Sequence, residues 1–185
     1  GGRVARERLA DLLWPDRSAT QGRNCLRQTL SVLRSMFGDA GARVFQAERE
    51  FIAIAPGWIG CDAREMLQLE AGRCEDIASL YSGPFLDGFF SGSAVFDDWA
   101  ASCRERLDSV AVQALHNVVR HALPEQGALH LARLLAVDPA REASYQLGME
   151  VHAALRQRDQ ALRLYETCKA VLAREYGVSP SSETE

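Results

Sequence analysis

The apolar pattern in the C-terminal third of the chain repeats at an interval of 32 or 33 residues. Leu115, Ala122 and Leu123 recur as Leu147, Ala154 and Leu155, and Ala128, Leu129 and Leu131 recur as Ala161, Leu162 and Leu164. The interval is close to the ~34 residues of tetratricopeptide repeats (TPRs), in which each helix pair buries its apolar face against a stacked neighbour. The pattern predicts a TPR-like repeat. The alternative is chance similarity inside an ordinary helical bundle.

The whole region from Asp62 onward has helical periodicity. Apolar residues recur at three- and four-residue spacing, and the segment PFLDGFFSG at residues 84–92 interrupts them. The predicted helices are Ala63–Ala71, Cys74–Leu80, Phe96–Leu123, Gln126–Ala136, Arg141–Leu155 and Asp159–Tyr176. Trp14 and Trp99 lie among apolar residues at helical spacing, so we expect both in a core. Trp58 follows Gly57 and is expected to pack between domains.

Near the N-terminus, the helical segment Ser18–Gly38 contains three arginines and no acid. Its faces are an apolar stripe (Leu26, Leu30, Leu33, Phe37), an opposite polar face (Asn24, Gln28, Ser31, Ser35) and a shoulder of arginines (Arg23, Arg27, Arg34). Such amides and guanidinium groups can bind base edges and phosphates in a DNA major groove. A basic, solvated surface helix explains the same pattern.

The elements around this helix favour the DNA-binding interpretation. A short helix, Arg3–Trp14, precedes it and stops before Pro15. Two strands, Val44–Ala47 and Phe51–Ala55, follow it and form a hairpin. Two helices followed by a hairpin are the layout of a winged helix. The predicted fold is therefore mostly α: a partial winged helix-turn-helix with a β-hairpin wing, then a TPR-like α-helical repeat domain.

Composition and charge exclude several classes of protein. Hydrophobic residues make up 47% and charged residues 25%, as in soluble globular proteins. There is no apolar run of about 18 residues and no signal peptide, so we expect a cytoplasmic protein without membrane contact. Residues 1–60 carry nine arginines and six acids, whereas residues 61–185 carry twelve basic residues and nineteen acids. A basic N-terminal segment can meet phosphate while an acidic segment stays away from it.

The sequence contains none of the common catalytic patterns. It has no glycine-rich phosphate loop, no nucleophile motif of the G-x-S-x-G type and no H-E-x-x-H zinc motif. The five cysteines are scattered without a C-x-x-C pair. We therefore predict no enzyme activity, no metal site and no cofactor.

Two groups of residues resemble a known family. LADLLWPD at Leu9–Asp16 and RNCLRQTLSVLRSMFG at Arg23–Gly38 resemble the winged helix of bacterial antibiotic regulatory proteins of the SARP type. LYSGPFLDGFF at residues 80–90, LLAVDPAREASY at 134–145 and ALRLYETCKAVLAREYGVSPSSET at 161–184 resemble the bacterial transcriptional activation domain that follows it. The order and spacing of these motifs are specific, and the resemblance extends over nearly all of the chain, from Leu9 to Thr184.

The resemblance implies a DNA-binding transcriptional activator with an OmpR-like winged helix in residues 1–60 and an activation domain in residues 61–185. The implied partners are double-stranded DNA with promoter direct repeats, RNA polymerase and a second copy of the chain in a homodimer. We expect Asn24, Gln28 and Ser31 to contact bases. The expected phosphate contacts are Arg23, Arg27 and Arg34, with an acid of the N-terminal sheet as the alternative partner of Arg34. Arg49, at the wing tip, is a further DNA-binding candidate.

The chain departs from the family pattern at three places, and two of them, the N-terminus and the wing tip, favour another function. The family's N-terminal sheet and first helix do not precede Gly1, so we expect a fragment of a longer protein. Ala5 replaces the usual hydroxyl cap of the first predicted helix, and Glu48 and Glu50 flank Arg49 at the wing tip, where phosphates would repel them. The alternative is a TPR-like protein-interaction or ligand-sensing module of a larger signalling protein that no longer binds DNA.

Overall fold

The computed structural model describes residues 2–70 and 72–185. The chain forms two compact units. The N-terminal unit consists of Gly1–Cys61 and Leu86–Cys103, and the C-terminal unit consists of Asp62–Phe85 and Arg104–Glu185. The described residues are mostly helical with one small antiparallel sheet, which confirms the predicted fold class.

The N-terminal unit combines short helices with a three-stranded sheet. Its elements are β1 (Val4–Ala5), α1 (Arg6–Leu13), α2 (Ala19–Met36), a 3-10 turn (Gly38–Ala40), α3 (Gly41–Val44), β2 (Phe45–Ala47) and β3 (Phe51–Ile54). The strand order is β1-β3-β2, with Val4 opposite Ile52 and Gln46 opposite Ala53. The predicted hairpin is confirmed. The predicted helical start at Arg3 is wrong, because residues 4 and 5 pair with β3 instead.

Both ends of α2 have local capping interactions. The Ser18 hydroxyl accepts a hydrogen bond from the Gln21 backbone amide at 3.4 Å, and the Gln21 side chain accepts one from the Ser18 amide at 3.1 Å. Gly38 follows the C-cap with φ +52°, a conformation that glycine adopts without steric cost. In α1, Ala5 occupies the N-cap and supplies no side-chain hydrogen bond, as predicted.

A small apolar core holds α2 in the N-terminal unit. Leu26, Leu30 and Ile52 are buried, and Leu9, Trp14 and Ala47 pack against them. The predicted apolar stripe is thus covered at Leu26 and Leu30. At its C-terminal end Phe37 stays 41% exposed and packs edge-on against Phe45, with ring centroids 5.3 Å apart. Trp99 packs against the Phe96 ring but remains 37% exposed, so it lies at the surface rather than in the predicted core.

Helices make up the regular structure of the C-terminal unit. They are α4 (Asp62–Gln68), α5 (Cys74–Leu80), α6 (Ala94–His121), α7 (Pro124–Val137), α8 (Glu142–Ala154) and α9 (Arg158–Tyr176), with the first ten residues of α6 assigned to the N-terminal unit. The predicted helices of this region are all present with small differences at their ends. The predicted end of the first one, Ala71, lies outside the described residues.

Among the described residues, three apolar clusters form the core of this unit. The buried members of the two larger ones are Ala78, Val112, Leu115, Val118, Val119, Leu134, Leu147 and Val151, and Met66, Ile77, Tyr81, Leu107, Ala111 and Ala114. The smaller one consists of Tyr145, Cys168 and Leu172. A β-carbon at Gly148 of α8 would lie 2.9 Å from a methyl carbon of Leu131 and 2.9 Å from one of Leu164. These leucines occupy equivalent positions of the sequence repeat, so α7 and α9 approach the same point of α8, as stacked helix pairs require.

Candidate nucleic-acid interface

The outward face of α2 carries polar side chains that are exposed and unengaged. Asn24, Arg27, Gln28 and Ser31 are all exposed. Within the described part of the chain, none of these four side chains makes a hydrogen bond or an ion pair with another residue. Their donors and acceptors are therefore available to a ligand. This is the exposure that the helical wheel predicted, while contact with bases and phosphates stays a prediction.

The fold holds this face in place through the opposite side of the helix. Leu26 and Leu30 are 3% and 7% exposed and anchor α2 in the apolar core. Each helical residue turns the chain by about 100°, so burial of these two leucines turns Asn24, Gln28 and Ser31 toward solvent. Gly22 lets α1 and α2 approach closely, since a β-carbon there would lie 3.3 Å from the Ala10 β-carbon. Packing therefore orients the face.

Arg23 already has an acidic neighbour. Its guanidinium lies 3.3 Å from a carboxylate oxygen of Glu7 and 3.5 Å from the Thr20 hydroxyl. The two charged side chains are 49% and 77% exposed. Exposed ion pairs of this kind contribute at most about 1 kcal/mol, so a phosphate group can replace Glu7 at low energetic cost.

Arg34 is engaged inside the N-terminal unit. Its Nε and Nη2 atoms donate hydrogen bonds of 3.1 and 2.6 Å to the carbonyl oxygen of Phe45. β2 is an edge strand, so it has only one strand neighbour to satisfy its backbone groups. Sequence reasoning assigned Arg34 to a phosphate or an acid. It overlooked this carbonyl, because the spacing of residues does not show which backbone group a folded strand leaves without a partner.

The hairpin turn at residues 48–50 is the tip of the predicted wing, and from here on it is called the wing. One of its two carboxylates is compensated by an arginine, so it carries less uncompensated negative charge than its sequence suggests. A guanidinium nitrogen of Arg3 lies 2.9 Å from a carboxylate oxygen of Glu48. The Arg6 side chain donates to the Glu48 carbonyl at 3.3 Å, and its backbone amide donates to the Glu50 carbonyl at 2.9 Å. Arg49 is exposed. The pairing of Glu48 with Arg3 reduces the repulsion that the wing would exert on phosphate.

Two apolar side chains on α2 were missed by sequence reasoning. Val32 is 60% and Met36 is 74% exposed. The spacing in the sequence could have revealed them, because Val32 and Met36 follow Gln28 by four and eight residues and therefore lie beside the polar face.

Trp58, elsewhere in the N-terminal unit, is 47% exposed, and the Arg43 guanidinium carbon lies 5.6 Å from its ring centroid, a cation–π geometry.

Comparison with known families decides the class of the chain. Residues 60–185, more than half of its length, match the model of the bacterial transcriptional activator domain. The chain belongs to the bacterial transcriptional activator domain (BTAD) family. This family occurs in bacterial transcriptional activators and consists of regulatory domains rather than enzymes. No curated protein sequence matches the chain significantly.

In the BTAD region, hydrogen bonds join helices that lie far apart in sequence. A guanidinium nitrogen of Arg133 donates to the carbonyl oxygens of Ala78 and Tyr81 at 2.5 and 2.8 Å, and the Tyr81 hydroxyl donates to Asp108 at 2.8 Å. Burial and the neighbouring Asp108 carboxylate raise the pKa of Tyr81. The Tyr81 hydroxyl therefore stays protonated at ordinary pH, and its hydrogen bond to Asp108 stabilises the fold.

The same BTAD region exposes leucines at equivalent repeat positions. Leu129 on α7 is 75% exposed, and Leu162 on α9, 33 residues later, is 52% exposed. Leu131 and Leu164, two positions further along each helix, converge on Gly148. A step of two residues turns a helix by about 200°, so Leu129 and Leu162 lie on the sides of their helices away from α8.

Among the described helices, none is long and apolar enough to cross a membrane.

Proposed function

We propose that the protein is a transcriptional activator that binds promoter DNA through α2. The proposal rests on one observation: in a chain that belongs to the BTAD family, α2 exposes Asn24, Arg27, Gln28 and Ser31, whose side chains make no hydrogen bond or ion pair with other described residues. In this proposal Asn24, Gln28 and Ser31 contact base edges in the major groove, where amides and hydroxyls match the donor and acceptor patterns of the bases.

The arginines of this region take different roles in the proposal. The Arg27 side chain has no competing hydrogen bond or ion pair among the described residues, and Arg49 is exposed on the wing. Arg23 has only a weak ion pair with Glu7 and a long hydrogen bond to Thr20. These three are assigned to phosphates. Arg34, a phosphate candidate by sequence, is assigned instead to the Phe45 carbonyl, because release of a half-buried guanidinium would leave that backbone group without its donor.

The C-terminal unit is assigned to protein contacts. Promoter direct repeats offer two equivalent half-sites, which a homodimer of the chain would occupy, and activation requires contact with RNA polymerase. The exposure of Leu129 and Leu162 supports a protein-binding role, since a partner could bury apolar surface that their own repeats leave in contact with water. It also favours the second candidate function, a protein-interaction module that does not bind DNA.

A salt-dependent binding experiment separates the two functions. Arg27→Ala removes one phosphate contact, so affinity for every DNA sequence falls and the slope of log K against log salt shrinks in magnitude by up to about 0.9. Arg106→Ala, a charge-matched change of an exposed arginine in the C-terminal unit, leaves both quantities unchanged. Fluorescence anisotropy of labelled DNA duplexes at several salt concentrations measures both variants.

The interaction-module function predicts a different result. In that case the full chain has no measurable affinity for DNA, and Arg27→Ala and Arg106→Ala are indistinguishable. If the chain binds DNA but Arg27→Ala keeps the affinity and slope of the parent, DNA binding stands and the assignment of Arg27 to a phosphate is wrong.

A further inference from the structure

Val32 is an exposed apolar residue beside the polar face of α2. It lies in the last third of α2 and is 60% exposed. Its neighbours on the helix surface at i−4, i−3 and i+3 are Gln28, Thr29 and Ser35, all polar and exposed, and its neighbour at i+4 is Met36, which is apolar and 74% exposed. Val32 does not belong to the apolar cluster that buries Leu26 and Leu30, and it is not among the residues that pack against this cluster. Its two methyl groups therefore face solvent beside the proposed base-reading side chains.

Helix geometry brings Val32 next to Gln28 in particular. Four residues turn the helix by about 40° beyond a full turn, so Val32 and Gln28 are neighbours on one face. The bond from α-carbon to β-carbon tilts toward the N-terminus of the helix, which directs the Val32 methyl groups over the turn that carries Gln28. The face thus presents an amide and a branched apolar group side by side.

The major groove of DNA offers one apolar group at its base edges, the C5-methyl group of thymine. A valine there gains by burying that methyl group, while the Gln28 amide reads a base through hydrogen bonds. We propose that Val32 is a specificity-determining residue that contacts a thymine C5-methyl group at or next to the base pair read by Gln28. This inference rests on the proposed DNA-binding function. It adds a residue and a ligand group to that site.

The size of the expected effect follows from the area that one methyl group buries. Removal of a buried methyl group from such a contact lowers affinity by about fourfold. Substitution of thymine by deoxyuridine removes only this methyl group and leaves base pairing unchanged. A preference for thymine over deoxyuridine at one position therefore reports the contact directly.

The experiment uses the full chain and a duplex that it selects from random double-stranded DNA. Each thymine of the selected site is replaced singly by deoxyuridine, and affinities are measured at one fixed salt concentration for the parent, Val32→Ala, Val32→Ile and Thr29→Ala. Thr29 is the matched control, because it is also exposed and β-branched and lies one turn away. Alanine has higher helix propensity than valine, so Val32→Ala keeps the helix folded.

The inference predicts a specific pattern. One deoxyuridine lowers the affinity of the parent about fourfold, Val32→Ala binds the thymine and deoxyuridine duplexes equally at that position, and Val32→Ile and Thr29→Ala keep the parental preference. A parent without any sensitive position, or a Val32→Ala variant with the parental profile, overturns the inference while DNA binding stands. Failure to select any duplex overturns the proposed function and this inference with it.

Discussion

At the scale of single residues, the junction after α2 depends on one glycine. A β-carbon at Gly41 would lie 2.1 Å from the Arg34 carbonyl oxygen and 2.8 Å from the Arg34 α-carbon. Gly41 has ordinary helical dihedral angles, so the restriction is space rather than backbone conformation. The atoms in the way are main-chain atoms of α2, which cannot rotate aside. Gly41 therefore lets the chain fold back against the helix that carries Arg34.

We expect Gly41→Ala to lower the stability of the N-terminal unit by about 3 kcal/mol, because α2 and α3 must move apart. Denaturant titration followed by tryptophan fluorescence measures this unit selectively, since Trp14, Trp58 and Trp99 all belong to it. Gly22→Ala is the control. Its β-carbon meets only the Ala10 β-carbon at 3.3 Å, and alanine gains about 1 kcal/mol of helix propensity. Equal midpoints for the two variants would contradict the steric argument.

At the scale of elements, the start of α8 holds the C-terminal segment. One carboxylate oxygen of Glu142 accepts hydrogen bonds from the Ser181 amide at 2.7 Å, the Ser181 hydroxyl at 2.8 Å and the Thr184 hydroxyl. Gln146, one turn later, donates to the Thr184 hydroxyl at 2.7 Å. These bonds to Thr184 and Ser181 hold the pKa of Glu142 below its usual range.

This docking should depend on pH. A carboxylate with a lowered folded-state pKa stabilises the docked segment above its unfolded pKa of about 4.3, and that stabilisation is lost as pH falls through the folded value. We expect hydrogen exchange of the Ser181 amide, corrected for intrinsic rates, to accelerate about tenfold below that value. Glu142→Gln should show the fast exchange already at neutral pH. Glu150→Gln, an exposed change on the same helix, should not. A pH-independent Ser181 amide would refute the role of Glu142.

The elements differ in how far local sequence determines them. Long helices such as α2 and α9 follow from apolar periodicity, and the sequence located both. β1 did not follow, because Val4 and Ala5 become a strand only through pairing with residues 51 and 52. The exposed face of α2 was predictable from the helical wheel. The bonds of Arg34 to Phe45 and of Arg3 to Glu48 were not, since they join groups that only folding brings together.

At the scale of the whole molecule, the net charges of the two folded units differ from those of the sequence segments 1–60 and 61–185. Residues 1–60 have a net charge of +3. The N-terminal unit also contains Leu86–Cys103, which adds Asp87, Asp97 and Asp98 and no basic residue, so its nine arginines are balanced by nine acids. The C-terminal unit has twelve basic residues and sixteen acids. Neither unit attracts DNA by net charge, so attraction must come from the local field of α2 and the wing.

This charge distribution predicts a weak salt dependence of DNA binding. Three arginines are assigned to phosphates, namely Arg23, Arg27 and Arg49, and each contact releases about 0.9 counterion. The slope of log K against log salt should therefore be about −3 per bound protomer, measured by titration of the full chain into its selected duplex at several salt concentrations. Replacing all three arginines by alanine should bring the slope close to zero. A parental slope steeper than about −6 would require phosphate contacts from basic residues outside α2 and the wing, and would show that the DNA-binding surface is larger than the one described by these residues.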